Sequence, residues 1–102
     1  MMHQKLVRDK IPEMIEKQGK TCHIRILSAD EYTHELERKL DEEVGEYHKG
    51  KNLEELADIL EVLCALAENL GASKEELLAA CEKKHQARGG FRDRIFLIST
   101  EE

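Results

Sequence analysis

An all-α bundle of about four helices is the fold this sequence predicts, and three observations predict it. The apolar 40% is mostly Leu, Ile, Ala and Val, with two Phe, two Tyr and no Trp. Such a composition builds Leu-rich helices more readily than a β-sandwich core, which wants more β-branched and aromatic residues. Helix-capping signatures stand ahead of apolar runs of helical period, and glycines stand where those runs end. At 102 residues the chain is one domain, 1–102, with no linker long enough to divide it.

The elements follow in order. Leu6, Ile11, Met14 and Ile15 mark a first helix, which Pro12 makes start near Lys10 with the proline in its first turn, and which Gly19 ends. "TCHIRILS" alternates imperfectly and reads as an extended segment. Ser28-Ala-Asp-Glu31 is a capping box that opens a long second helix running to about Lys49. "GKN" punctuates. Asn52 followed by Glu55 is another capping signature, and the third helix runs to Leu70, closed by Gly71. Ser73-Lys-Glu-Glu76 caps a fourth helix that reaches about Arg88, where Gly89-Gly90 stops it. The tail "FRDRIFLIST" is extended, and Ile95–Ile98 are able to pair with "HIRIL" as a small two-stranded ribbon.

Charged residues make up 37% of the chain, so a small protein with this much polar surface is expected to cover part of its apolar area with a second copy of itself. A net charge of −6 argues against a duplex nucleic acid partner, because phosphate backbones reward basic faces. It suits a protein that recruits cations. Cys22, Cys64 and Cys81 are odd in number and lack C-x-x-C spacing, which points away from a zinc ribbon or disulfide framework and towards a reduced, cytoplasmic setting. "MMHQKLVRDKIPEM" lacks the apolar core of a signal peptide. "ILEVLCALAENL", interrupted by Glu61 and Glu68, is too short to cross a membrane.

The chemistry lies in "DEEVGEYHKGKNLEELADIL", residues 41–60. A helix advances about 100° per residue, so on the second helix Tyr32, Leu36 and Tyr47 fall within about 40° of Glu43, and Glu46 lies about 60° to one side. On the third helix Ile59, Val62 and Leu66 fall within about 40° of Glu55, with Asp58 about 60° away. Each helix thus carries one carboxylate inside its apolar stripe and another on the border. Glu54, Glu61 and Glu68 cluster on a solvated flank, with Glu61 near enough to Asp58 to be a further candidate. A desolvated, unpaired carboxylate costs several kcal/mol, and two facing each other cost more. The stripes supply no cation except Lys39 at the border. A divalent ion that prefers hard oxygen, Mg²⁺ above all with Mn²⁺ able to substitute, offsets that cost, and the tight break between the helices brings the pairs together. The plainer alternative is that Glu43 and Glu55 lie at a wet, loose part of a small bundle.

Cationic candidates flank this site. Lys84 and Arg88 are one turn apart directly before Gly89-Gly90, which suits a phosphate grip; dipole complementarity at a helix C-terminus and a glycine stop explain them equally well. Lys5, Arg8, Asp9 and Lys10 form a charged opening that either folds over the site or pairs Arg8 with an acid as plain structure. Tyr32 and Tyr47 either border a base pocket or belong to the core. Two E-x-x-H pairs, Glu31/His34 and Glu82/His85, raise a di-iron alternative. His34, however, falls on the helix face opposite Glu43. A helical dimerisation or adaptor module with ornamental acids is the non-enzymatic alternative.

"KLVRDKIP", "EEVGEY", "EELADILEVL" and "KKHQARGGFRDRIFL" together resemble the MazG-like family of all-α nucleoside triphosphate pyrophosphohydrolases, closest to its short phosphoribosyl-ATP pyrophosphohydrolase-like members. The similarity spans nearly the whole chain, with a short spacer between the acid pairs. The resemblance implies that Glu43, Glu46, Glu55 and Asp58 hold Mg²⁺ and that the bundle is completed as a homodimer or homotetramer. It also implies hydrolysis of a nucleoside triphosphate between the α and β phosphates, giving a monophosphate and pyrophosphate. Glu46 is the expected base, and Lys84, Arg88, Arg8 and Lys5 the expected phosphate-binding cations. Phosphoribosyl-ATP of histidine biosynthesis is the alternative substrate.

Overall fold

The computed structural model describes residues 2–102. Four helices form among them: α1 (Ile11–Lys17), α2 (Ala29–Gly50), α3 (Leu53–Asn69) and α4 (Lys74–Arg88). The starts are set by the expected caps. Ser28 Oγ accepts the Glu31 backbone N–H at 3.3 Å, and the Glu31 carboxylate accepts the Ser28 N–H at 3.1 Å. Ser73 and Glu76 repeat the reciprocal pair at 3.1 and 3.0 Å, so two of the four orphan donors at each start are satisfied. Arg25 grips Glu31 at 2.8 Å from outside. That hydrogen bond, helped by the Ser28 N–H, holds the Glu31 carboxyl down to about 2.

Asn52 caps α3 differently. Its side-chain oxygen accepts the Glu55 N–H at 3.0 Å, but Glu55 does not return the bond and its carboxylate stays free. The break between α2 and α3 is short because Lys51 takes a left-handed conformation (φ 49, ψ 45) and donates its N–H to Tyr47 O at 2.7 Å. The two helices therefore run antiparallel, and the far end is pinned where Asn69 Nδ2 donates to Thr33 Oγ1 at 2.9 Å. Leu36, only 2% exposed, and Val62 lie on the facing stripes, while Cys64 and Ala67, the other buried side chains of the described residues, lie off that stripe on α3. Tyr32, Leu40 and Tyr47 on α2, with Ile59 and Leu66 on α3, are half-buried along the same seam.

Outside this hairpin the chain is open. α4 packs against α3 alone and buries no residue. The radius of gyration is 18.1 Å, against about 13 Å for a compact domain of this length. The expected ribbon does not form. No strand is present among the described residues, and Ile24, Ile26 and Ile95–Ile98 are extended but exposed. A lone pair of strands is marginal in water unless packing holds it. No helix among the described residues is long and apolar enough to cross a membrane.

Candidate metal centre

Glu43 from α2 and Glu55 and Asp58 from α3 bring one carboxylate oxygen each to within 4.8 Å of one another. The matched phase of the two stripes accounts for this, because a tight antiparallel hairpin sets the last turns of α2 against the first turns of α3. Gly50 adds a local reason that the acid pattern did not reveal. A Cβ on it would lie 3.1 Å from Glu55 Cγ and 3.2 Å from Asn52 Nδ2, so a larger residue there would press on both the cap and the Glu55 side chain. In the sequence it read only as punctuation.

Burial is milder than the sequence led one to expect. No charged residue is fully buried among those described. Glu43 comes nearest, with its side chain 13% exposed, and Lys39 one turn back on α2 lies 3.4 Å from it and 3.4 Å from Glu42. Asp58 is more open and accepts a hydrogen bond from Arg8 Nη2 at 2.7 Å. Two of the three acids thus have a cation of the chain beside them. Glu55 has none: partial desolvation first, then the charges of Asp58, Glu46 and Glu43, push its carboxyl pKa upward. The unmet electrostatic demand is concentrated on this one side chain.

Glu46 is exposed and does not join the convergent three, although its charge is felt at Glu55. Arg8, fifty residues away in sequence, lies across the rim with its second nitrogen 3.8 Å from Glu61. Folding over the site and pairing with an acid are therefore the same arrangement. Lys5 is exposed beside Glu35, Arg38, Lys39 and Glu42 in a shallow cleft on α2. Lys84 and Arg88 are exposed on α4, which touches α3 but not α2, and neither makes an ion pair among the described residues. Arg88 instead lines an open concavity with His85, Gly89, Gly90, Arg92 and Arg94. Within one chain the structure does not bring this cationic end to the acids. His34 and His85 are both exposed and stand outside the acid group.

The donor set is chemically uniform. Three carboxylates and no thiolate or imidazole would suit a hard divalent cation, which takes carboxylate oxygens and keeps waters at its remaining positions.

Over 41 residues, 40% of its length, the chain is 61% identical to an uncharacterized protein of Mycolicibacterium smegmatis, and the match spans 42% of that relative. No protein-family model matches the chain. No solved structure matches it either.

Proposed function

We propose that this protein is a Mg²⁺-dependent nucleoside triphosphate pyrophosphohydrolase of the MazG-like type, acting in the cytoplasm on free nucleotides rather than on duplex nucleic acid. One observation carries the reading: Glu43, Glu55 and Asp58 converge from two helices with only oxygen donors and with Glu55 left without a cation. The sequence resemblance supplies the reaction class, with cleavage between the α and β phosphates.

Mg²⁺, when bound, supplies Lewis acidity towards the phosphate oxygens and lowers the pKa of a coordinated water. The chain's residues do the rest. Glu43, Glu55 and Asp58 would hold the ion, and Gly50 leaves space beside the Glu55 side chain. Glu46, whose charge is felt at Glu55 and which stands outside the convergent three, is the residue we assign to accept the proton of the attacking water. Arg8 offers positive charge at the rim, and Lys5 adds a second cation from the same segment beside Glu35 and Glu42. Lys84 and Arg88 serve the triphosphate from a second copy of the chain.

A homo-oligomer is supported by the unused apolar seam of α3. Leu53, Leu56, Leu60 and Leu63 follow alternating steps of three and four, the buried Ala67 interrupts the open series before Leu70, and all five leucines are exposed. A stripe of that period matches a helix partner that the single chain does not supply.

Pyrophosphate release from a panel of canonical and modified nucleoside triphosphates, and from phosphoribosyl-ATP, tests the reading. Turnover with Mg²⁺ and its loss on chelation are expected, with Glu55→Gln slowing it at least about a hundredfold. No turnover of any substrate, or turnover undiminished by Glu55→Gln, overturns the enzymatic reading in favour of an adaptor module.

A further inference from the structure

The cations around the acid cluster come from different places. Lys39 reaches Glu43 from one turn back on the same helix, so that pair is built into α2 whatever the rest of the chain does. Arg8 reaches Asp58 from a separate segment and spans fifty residues of sequence to do so. That segment is non-helical from residue 2 to residue 10. Leu6 and Val7 are half-buried, while Arg8 itself is more than half exposed. Its backbone carbonyl accepts the Ile11 N–H at 3.1 Å, so Arg8 sits at the joint between this segment and α1.

A guanidinium at 2.7 Å from a carboxylate oxygen and a divalent ion on the same carboxylate are like charges a few ångströms apart. They repel, and Arg8 already occupies Asp58 Oδ1. Glu61 gives Arg8 a second, looser hold at 3.8 Å, outside the convergent three. A cation that leaves Asp58 therefore keeps a nearby anchor and swings by a side-chain rotation instead of being lost to solvent.

We propose that Arg8 is a stand-in cation which neutralises Asp58 and is displaced from it when a divalent ion enters, making the N-terminal segment a strap whose attachment reports occupancy. This rests on the divalent-ion reading of the acid cluster given above. Displaced from Asp58, the guanidinium remains at the rim, positioned for the phosphate oxygens of an incoming anion. The strap thus exchanges one anionic partner inside the chain for another on the substrate, and the site does not stay both loaded and strapped.

Mn²⁺ alone, titrated calorimetrically into the full chain, tests this. Arg8→Gln is expected to bind Mn²⁺ about tenfold more tightly than the unaltered protein, since it removes the competitor. Arg8→Lys, which keeps the charge and loses the forked geometry, is expected to fall between the two. A merely structural arginine moves affinity the other way, because its loss loosens Asp58. In the unaltered protein Mg²⁺ is also expected to move the nuclear magnetic resonance signal of the Arg8 guanidinium as it leaves Asp58. Mn²⁺ binding that is equal or weaker in Arg8→Gln, or an Arg8 guanidinium signal that ignores Mg²⁺, overturns the strap and leaves the metal site standing. Failure of every variant to bind Mn²⁺ removes both.

Discussion

The α2–α3 hairpin contains Leu36, Val62, Cys64 and Ala67, every buried side chain among the described residues, whereas α4 and residues 89–102 contain none. Local rules do not separate the two regions. α4 has a complete capping box, as α2 does, and its composition is as favourable to helix. The difference is the length of the apolar surface. α2 and α3 carry apolar residues at helical spacing over several turns each, while α4 gathers Leu77, Leu78, Ala79, Ala80 and Cys81 in one consecutive run of less than two turns. Caps and propensity suffice to make a helix; only a long stripe gives it a place to lie. The acids follow the first region and the unpaired cations Lys84 and Arg88 the second, so the functional charges are divided along the same line.

That division is sharpest if the two charge sets work across copies. Glu55→Gln and Arg88→Ala are each expected to be nearly inactive in pyrophosphate release, and mixing the two proteins is expected to restore turnover, because one site in a mixed oligomer keeps both intact halves. Leu60→Glu in either partner, which plants a charge in the open leucine seam, is expected to abolish the rescue and give the monomer mass by light scattering. Absence of rescue with oligomers intact breaks the comparison by returning α4 to its own hairpin.

A smaller effect separates the hairpin's acids from its surface charges. Glu55 has a folded-state pKa above its ordinary value, so its ionisation weakens the metal-free fold. The sign follows from linkage: the folded state binds more protons than the unfolded one between the two pKa values. The penalty is absent below about pH 4.5, grows as pH rises, and is complete above the folded value. Metal-free Glu55→Gln is expected to melt higher than the unaltered protein at pH 7 and to lose that advantage near pH 4, as followed by circular dichroism. Glu31 runs the opposite way. Its carboxyl is held at about 2, so what it contributes is present above its ordinary range and lost only as pH falls towards that value.

Much of this was readable from the chain because it is local. The Ser28/Glu31 and Ser73/Glu76 boxes span three residues each, and the phase of Glu43 against Tyr32, Leu36 and Tyr47 depends only on helix geometry. With a short connection, those phases dictated that Glu43, Glu55 and Asp58 converge. What stayed illegible depends on distant segments. The sequence left Arg8 with two readings, and only the fold merges them by laying residue 8 across residue 58. The ribbon failed for the same reason in reverse, since alternation in "HIRIL" and Ile95–Ile98 says nothing about whether the segments meet. Lys39, seen only as a border cation, turned out to pair with Glu43 and so shifts the weight of the electrostatic case to Glu55. Gly50 matters through a 3.1 Å approach that no motif records.

The account stands on Glu43, Glu55 and Asp58 acting together as one cation site. Electron paramagnetic resonance of Mn²⁺ titrated into the unaltered protein and into Glu43→Gln, Glu55→Gln and Asp58→Asn tests it most directly. Saturable binding in the unaltered protein that falls at least about tenfold with each substitution is the expected result. Binding unaffected by all three, or no saturable binding at all, contradicts it.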